Sequence, residues 1–377
     1  MGNTPNIRFK GFTDDWEQRK LGEVFQEYSE KNHPELPALT IIQGGGTVLR
    51  EESERKLQYD KSSLAGYKMV REDDFIVHLR SFEGGLEKSN HNGLISPAYH
   101  TFHGDEVDSR FYYPYFRSYE FIKHKLVPHV YGIRDGRSID IDSMKTIEIP
   151  WTSYEEQKKI GDYIESLDTL ITLHQRKCDE TKKLKKFMLQ KMFPKKDAKK
   201  PEIRFAGFTD DWEQRKLVDV VDVRSGRDYK HLEEGDIPVY GTGGYMLSVN
   251  EALSDDEDAI GIGRKGTIDN PYILRAPFWT VDTLFYAVPR DKYDLNFVFD
   301  IFQNVNWKAK DESTGVPSLS KATINAVETL MPEYAEQKKI GEYFSYLDNF
   351  ITLHQRKCDE LKEFKKYMLQ NMFPQKG

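Results

Sequence analysis

Two stretches of the chain carry apolar or small residues at alternating spacings of three and four. In the first stretch these positions are Ile160, Ile164, Leu167, Ile171, His174, Cys178, Thr181, Met188 and Met192. In the second they are Ile340, Phe344, Leu347, Ile351, His354, Cys358, Leu361, Met368 and Met372. This spacing is typical of a helix with one apolar face, whereas a strand would need alternation. Each pattern predicts a helix of about 38 residues, roughly 57 Å long.

The two stretches are copies of each other. Residues 171–180 recur letter for letter as residues 351–360, and 28 of 40 positions are identical when residues 157–196 are aligned with 337–376. A second repeat, between residues 8–21 and 204–217, is offset by 196 instead of 180 positions. One duplication at this spacing indicates two related half-chains, and not the short periods of a solenoid.

Two long helices with matching apolar faces predict that they pair with each other. We expect an antiparallel coiled coil with a pseudo-twofold relation between the half-chains. A second apolar stripe makes each face wider than a two-stranded seam requires: Tyr163, Leu170, Leu184 and Phe187, with the copies Tyr343, Phe350, Phe364 and Tyr367. Such a stripe packs either on the chain's own globular parts or on a partner protein.

The segments between the repeats predict two globular bodies of the α+β class, each with a twisted sheet. Strand patterns occur at residues 75–79, 93–96 and 147–150 in the first body, and at 237–240, 259–263, 278–279 and 283–288 in the second. An aromatic-rich stretch over residues 111–121 predicts a short helix. The expected domains are 1–153 and 196–333 for the bodies, with 154–195 and 334–377 for the helices.

Composition excludes several classes of protein. The 377 residues are enough for two or more cores, and two cysteines exclude a disulfide framework. With no signal-like start and no long apolar run, the expected location is the cytoplasm, without membrane contact. Net charges of −4, +5, −10 and +2 for residues 1–154, 155–200, 201–334 and 335–377 place the positive charge on the helices. Any DNA contact by the bodies therefore requires a few clustered cations.

Motifs for autonomous catalysis are not convincing. Residues 261–266 match the letters of the dinucleotide fingerprint, but Asp269, Asn270 and Pro271 follow where a helix would have to begin. No Walker A sequence is present, and the Glu-Gln-Lys triplets at residues 156–158 and 336–338 open helices instead of lying on strands. We therefore expect a non-catalytic chain that holds no cofactor.

Polar, glycine-bearing loops in both bodies are candidates for DNA contact, or are simply surface turns. Their side chains can bond to base edges or phosphates. In the first body the candidates are Arg80, Ser81, Lys88, Asn90, His91 and Asn92. In the second they are Thr242, Tyr245, Arg264, Lys265 and Thr267.

The histidine and cysteine positions of the two helices leave two interpretations. His174 with Cys178 and His354 with Cys358 would bring four zinc-type ligands together if the helices pair about their midpoints. All four also lie on the apolar seam, where cysteine is readily buried. A packed, hydrogen-bonded pair of histidines is the favoured interpretation, and no metal site is expected.

The repeated frame resembles the specificity subunit of type I restriction-modification enzymes. The resemblance rests on a variable body followed by Glu-Gln-Lys-Lys-Ile-Gly, a long helix with His-Gln-Arg-Lys, and a Met-Phe-Pro stop, all present twice. The segments 96–99, 263–266 and 278–283 are similar to parts of the target recognition domains of that family.

This resemblance implies that each body recognises one half of a split double-stranded DNA target. The paired helices would set the spacing and bind two methyltransferase subunits, with restriction subunits further out. S-adenosylmethionine, ATP and magnesium would belong to those partners. A coiled-coil adaptor whose bodies bind proteins is the alternative, since it accounts for acidic bodies on basic helices.

Overall fold

The repeated helices extend over Tyr154–Lys191 and Tyr334–Met372, with 38 and 39 residues. The computed structural model describes residues 4–53, 61–78, 85–132, 138–195 and 197–374. The carbonyls of Ser153 and Glu333 accept the first N–H groups of the two helices. Both helices end shortly before a proline, which disfavours helical geometry in the residue that precedes it. The predicted positions and lengths are confirmed.

The chain divides into two compact units. Unit 1 comprises Met1–Leu173 and Lys357–Gly377, and unit 2 comprises His174–Arg356. Each unit therefore contains one body, the first part of the long helix that follows that body, and the last part of the other long helix. The four-segment division at residues 153, 195 and 333 stays a prediction.

Unit 1 contains twelve short strands in its described residues, and its largest sheet has the order β2-β9-β6-β7. The strands are β1 (Glu17–Lys20), β2 (Gln26–Tyr28), β3 (Leu39–Ile42), β4 (Gly46–Leu49), β5 (Lys68–Val70), β6 (Phe75–His78), β7 (Glu87–Lys88), β8 (Gly93–Ile95), β9 (Tyr99–His103), β10 (Val130–Tyr131), β11 (Ser138–Ile139) and β12 (Glu148–Trp151). Two-stranded pairs β1-β12, β3-β4, β5-β8 and β10-β11 complete the body. The strands therefore divide among several sheets and do not form a single one.

The helices of unit 1 are short, apart from its share of the long ones. They are α1 (Leu21–Val24), α2 (Ser109–Phe116) and α3 (Ile141–Met144), with 3₁₀ turns at Lys61–Gly66 and Val127–His129 and a π-helix at Glu120–Leu126. The predicted helix at 111–121 thus corresponds to α2 and the start of the π-helix. The long helix Tyr154–Lys191 is α4.

Unit 2 has nine described strands in three sheets, of orders β14-β20-β17-β18, β16-β15-β19 and β13-β21. The strands are β13 (Glu213–Lys216), β14 (Val221–Ser225), β15 (Glu234–Gly241), β16 (Gly244–Val249), β17 (Ala259–Gly263), β18 (Tyr272–Leu274), β19 (Trp279–Thr280), β20 (Leu284–Pro289) and β21 (Glu328–Met331). Its helices are α5 (Leu217–Val220), α6 (Leu295–Asn304) and α7 (Lys321–Asn325), with a 3₁₀ turn at Trp307–Lys310 and the long helix α8 (Tyr334–Met372). All four strand patterns predicted for this body correspond to observed strands.

The bodies are closed by equivalent antiparallel ribbons at the point where each long helix begins. Strand β1 pairs with β12, and β13 pairs with β21. Because β1 and β13 lie within the repeated entry sequence, each ribbon joins the start of a body to its end. The same frame is therefore built twice around different interiors.

Each core is completed by the end of a long helix. In unit 1, Met372 and Phe373 pack with Trp16 and Phe111. In unit 2, Met192 and Phe193 occupy the corresponding place beside Trp212 and Phe297. The Met-Phe-Pro sequence is thus a core-forming segment as well as a helix stop.

A buried ion pair fixes the start of each long helix to the entry segment. The carboxylate of Glu156, 0% exposed, accepts two hydrogen bonds from Arg8 at 2.6 and 2.8 Å. Glu336 accepts two from Arg204, both at 2.7 Å. These bonds raise the pKa of both arginines. Removing one partner of such a pair leaves an uncompensated buried charge, which costs about 3–5 kcal/mol.

The next residue of each helix holds the body's own helix in place. Gln157 accepts a hydrogen bond from Asp108 N, and Gln337 accepts one from Asp294 N, both at 3.1 Å. Asp108 and Asp294 are the N-cap residues of α2 and α6. The cap of each body helix is therefore bonded directly to the long helix.

Gly341 permits this close approach in unit 2. A Cβ at Gly341 would lie 2.5 Å from Asp294 Oδ1 and 2.7 Å from Phe297 N. The backbone nitrogen cannot move away without disturbing the first turn of α6. A glycine inside a helix costs about 1 kcal/mol relative to alanine, so packing and not helix propensity explains its presence.

We predict that Gly341→Ala lowers the free energy of unfolding despite its better helix propensity. Overpacking of this kind costs about 1–3 kcal/mol. Urea denaturation of the full chain, followed by circular dichroism, measures the change.

Gly315→Ala is the matched control, because a Cβ at Gly315 meets nothing within 4 Å. Its unfolding midpoint should stay close to that of the starting protein. An unchanged or raised midpoint for Gly341→Ala would contradict the packing argument.

Candidate nucleic-acid interface

The predicted helix seam is present within each unit, and the paired segments are antiparallel. In unit 1, Lys365 Nζ lies 2.5 Å from Asp168 Oδ1, and Cys358 Sγ lies 3.9 Å from Ile171 O. In unit 2, Lys185 Nζ lies 2.5 Å from Asp348 Oδ1. Lys185 and Lys365, which interrupt the apolar pattern, are therefore matched ion-pair positions of the seam.

The predicted seam residues are mostly buried. Those with little exposure are Ile160, Ile164, Leu167, Cys178, Ile340, Phe344, Leu347, His354 and Cys358, while Ile171, His174 and Ile351 are half-buried. Ile160 and Ile164 pack into the core of unit 1, and Ile340, Phe344 and Leu347 pack into that of unit 2. The seam is thus continuous with the cores of the bodies.

His174 and His354 share a hydrogen bond at the seam. Their Nδ1 atoms are 2.8 Å apart, and the ring of Phe350 lies 4.2 Å from that of His354. One nitrogen must donate and the other accept, so the contact requires at least one neutral imidazole. Burial, followed by the charges of His174 and Lys177, lowers the pKa of His354.

The cysteines bond to backbone carbonyls. Cys178 Sγ lies 3.8 Å from Ile351 O, and Cys358 makes the equivalent contact with Ile171 O. Within the described ranges, no group of three or more His, Cys, Asp and Glu side chains is arranged to hold a metal ion. The hydrogen-bonded histidine pair is the arrangement observed.

Some residues of the second apolar stripe pack on the chain's own bodies, and others stay exposed, as expected for contact with a partner protein. Tyr163 packs edge-on against Phe9, and Tyr343 packs against Phe205, so these two serve the chain's own bodies. Other members remain largely exposed: Leu170, Leu184, Phe187, Phe364 and Tyr367. The stripe therefore supplies apolar side chains that the units themselves leave uncovered.

In unit 2, the loop after β17 presents Arg264, Lys265 and Thr267 at the surface. A Cβ at Gly263 would lie 2.0 Å from Thr267 O, so the loop folds tightly back on the strand end. Gly266 has φ +93° and donates to Pro317 O at 2.8 Å. Glycines at both ends thus fix the backbone, as expected for a rigid cation-bearing turn.

Thr242 lies in the hairpin turn between β15 and β16, and Tyr245 is the second residue of β16. Tyr245 is 63% exposed, and its hydroxyl lies 3.2 Å from Ser248 Oγ. Tyr272 donates to Gly241 O at 2.6 Å, while Val281 N donates to Tyr240 O at 3.0 Å. Arg264 N in turn donates to Thr283 O at 2.8 Å. Both candidate loops of this body therefore rest on the same segment, Val281–Leu284.

The candidates in unit 1 have partners within the protein. Lys88 pairs with Asp73 at 2.8 Å, and Asn92 Oδ1 accepts from Glu72 N at 2.9 Å. His91 is half-buried, and its carbonyl accepts from Ser89 Oγ. Arg80 and Ser81 lie outside the described residues. DNA contact by all of these side chains stays a prediction.

Asn90 holds the turn between β3 and β4, which the sequence pattern did not identify as a candidate. Its Nδ2 donates to Gly45 O at 2.9 Å and Thr47 O at 3.1 Å. Glu87 accepts from Gly44 N at 2.9 Å, on the other side of the same turn. The glycine-rich β3-β4 turn is thus held in the first body, as the β15-β16 turn is in the second. Three consecutive glycines were the signal available in the sequence.

Comparison with known proteins places this architecture in a class. Residues 209–363 match the family described as "Type I restriction modification DNA specificity domain". The match lies in the second half-chain, and the resemblance noted from the sequence is confirmed.

Similar proteins include two specificity subunits of Methanocaldococcus jannaschii. The type I restriction enzyme MjaVIII specificity subunit is 24% identical over 273 residues, covering 61% of this chain and 62% of that protein. The putative MjaX specificity subunit is 23% identical over 266 residues, covering 62% and 60%. The matches thus span less than two thirds of these relatives.

The fold extends over the whole chain. The crystal structure of the type I restriction-modification system S subunit from M. genitalium has a TM-score of 0.71 with this protein, at 16% identity. The match covers 99% of this chain and 100% of that one. The predicted fold class, two mixed α/β bodies with long conserved helices, is therefore confirmed. Separately, no helix in the described residues has the length and apolarity needed to cross a membrane.

The histidine pair makes stability depend on pH. Because the folded pKa of His354 is below its ordinary value of 6.5, the unfolded chain binds more protons as pH falls. The pair's contribution is present above about pH 6.5 and is lost as pH falls toward the folded pKa. We predict that His354→Gln reduces this loss, measured as the difference in urea midpoint between about pH 7.5 and about pH 5.5.

His33→Gln provides a contrast of opposite sign. His33 donates hydrogen bonds to the carboxylates of Glu35 and Glu30, which raise its pKa, so its contribution is present at low pH and is lost as pH rises. An identical pH dependence for His354→Gln and the starting protein would refute the proposed role of the seam pair.

Proposed function

We propose that this chain is the DNA sequence-recognition subunit of a type I restriction-modification complex. The observation that carries the proposal is the match of the second half-chain to a specificity domain, built on a helix-start ion pair that the first half-chain repeats. Each body recognises one half of a bipartite double-stranded target. The bodies differ while the frame does not, so sequence preference resides in the bodies.

The paired helices set the spacing between the two half-sites and bind two methyltransferase subunits. Exposed apolar residues on the helices of each unit support this role, because such patches mark protein interfaces; they are Leu170, Phe364 and Tyr367 in unit 1, and Leu184 and Phe187 in unit 2. Restriction subunits join the assembly through those partners. The same stripe also fits a general adaptor, but the specificity domain favours DNA recognition.

The chain itself is non-catalytic in this proposal. S-adenosylmethionine, ATP and magnesium are bound by the partner subunits in this proposal. A cytoplasmic location belongs to the same proposal, since Cys178 and Cys358 form no disulfide and the target is DNA. Mapping methylated positions in host DNA, with and without the gene, tests the function directly: an unchanged methylation pattern would refute it.

We predict that the purified chain binds DNA weakly and gains affinity when methyltransferase subunits are added. The bodies carry net charges of −4 and −10 and repel phosphate except at local basic loops. Fluorescence anisotropy with labelled duplex DNA, at physiological salt, measures both states. Nanomolar, sequence-specific binding by the chain alone would contradict this prediction.

We predict that Arg264→Ala relaxes one base of one half-site. If Arg264 bonds to a guanine edge, its loss costs about 1–3 kcal/mol of discrimination. Sequencing of the methylome in cells carrying the variant identifies the altered position. The other half-site should be unchanged, and an intact motif at normal occupancy would remove Arg264 from the recognition surface.

A further inference from the structure

In unit 2, the Val281–Leu284 turn between β19 and β20 is flanked by cations on both sides. The turn is closed by Leu284 N donating to Val281 O at 3.0 Å. On one side, Arg227 N donates to Thr280 O at 2.8 Å. On the other, the N–H groups of Arg264 and Lys265 both donate to Thr283 O. Arg227, 37 residues before Arg264 in sequence, therefore joins it at one turn, and we call Arg227, Arg264 and Lys265 the turn cations.

The backbone of Arg227 is held on both sides. A Cβ at Gly226 would lie 2.0 Å from Val281 O, so glycine is required for this approach. Trp279 Nε1 donates to Arg227 O at 3.0 Å. The main chain at Arg227 is thus fixed against the turn while its side chain is exposed.

Arginines elsewhere in this acidic body are mostly neutralised. Arg204, Arg215, Arg224 and Arg275 form ion pairs with carboxylates, and Arg290 donates to Val218 O. By contrast, the side chains of Arg227 and Lys265 make no hydrogen bond or ion pair with the described residues. Arg264 makes one contact of 3.4 Å with Asp282 O, and its guanidinium lies 5.8 Å from the Phe285 ring.

Acidic residues near the turn do not neutralise the turn cations. Asp228 Oδ1 accepts from Lys230 N at 3.2 Å, and Asp282 lies exposed in the turn. Neither carboxylate forms an ion pair with a turn cation in the described part of the chain. An arginine with a fixed backbone and no hydrogen-bonding or ionic partner among the described residues, in a body of net charge −10, indicates an anionic partner outside the protein.

We propose that Arg227 and Lys265 bind backbone phosphates of DNA beside the base contact made by Arg264. This inference rests on the proposed function and adds Arg227 to the recognition surface. Phosphate contacts fix the position of a protein on the duplex, whereas base contacts select the sequence. The two kinds of contact respond differently to salt and to sequence, so they are separable by experiment.

The test uses the full-length chain with its methyltransferase subunits and two mixed-sequence duplexes of unrelated composition. Each phosphate contact contributes about 0.9 to the slope of log K against log salt. Arg227→Ala should therefore reduce the slope by about 0.9 and weaken binding equally on both duplexes. The double variant Arg227→Ala, Lys265→Ala should reduce it by about 1.8, whereas Arg227→Lys, which keeps the charge, should retain most of the slope.

Arg275→Ala is the matched control, since it removes the same charge from an exposed side chain of the same body that is paired with Asp258. If this variant and Arg227→Ala change the slope equally, the effect is one of net charge and the inference is overturned. A changed methylation motif in Arg227→Ala would make Arg227 a base contact and would likewise overturn the phosphate assignment. Absence of any DNA binding by the unaltered complex would instead refute the proposed function.

Discussion

A buried carboxylate at the start of each long helix is the constraint on which both units depend. Glu156 and Glu336 have no exposed surface, and each accepts paired hydrogen bonds from one arginine of the entry segment. A buried charge is tolerated only when it is paired and hydrogen-bonded. The planar guanidinium satisfies both carboxylate oxygens at once, which a lysine cannot do. The entry segment and the helix start are therefore obliged to meet, whatever lies between them in sequence.

This obligation allows two different bodies to be mounted on one frame. Immediately after each glutamate, Gln157 or Gln337 binds the N-cap of a body helix, and a glycine four residues later admits that helix closely. Each body contacts the frame at the N-cap, the antiparallel ribbon and the Met-Phe segment at the end of a long helix. The rest of the body is free to differ, as the unequal lengths and different sheets of the two units show.

The two lysines that interrupt the apolar pattern of the long helices have specific ion-pair partners. Lys185 and Lys365 interrupt the apolar stripe, and each pairs with an aspartate of the opposite helix segment in its own unit. In unit 2, Lys185 also donates to Gln303 at 2.7 Å, close to Asp300, whose pKa is raised by burial. Polar groups of this kind fix register in a seam that apolar contacts alone would leave able to slide. The histidine pair fulfils the same purpose at the midpoint and adds sensitivity to pH.

The sequence by itself determined the duplication, both long helices, their antiparallel pairing and seven of the 21 described strands, because periodicity and repetition are visible without coordinates. The glycines on either side of Arg264 and Lys265 predicted a tight turn that exposes both side chains, and both are exposed in the structure. Only the tertiary structure decided which polar side chains are already engaged. Asn90 has an amide that could bond to a base edge, yet this amide bonds to the turn at Gly45. From the sequence, Glu156 is an ordinary acidic residue in the first turn of a helix, whereas in the structure it is paired with Arg8. Arg227 went unnoticed because its place beside Arg264 depends on hydrogen bonds to a turn more than 50 residues further along the chain. Contacts between residues so far apart produce no periodic pattern in the sequence, so only the folded structure shows them.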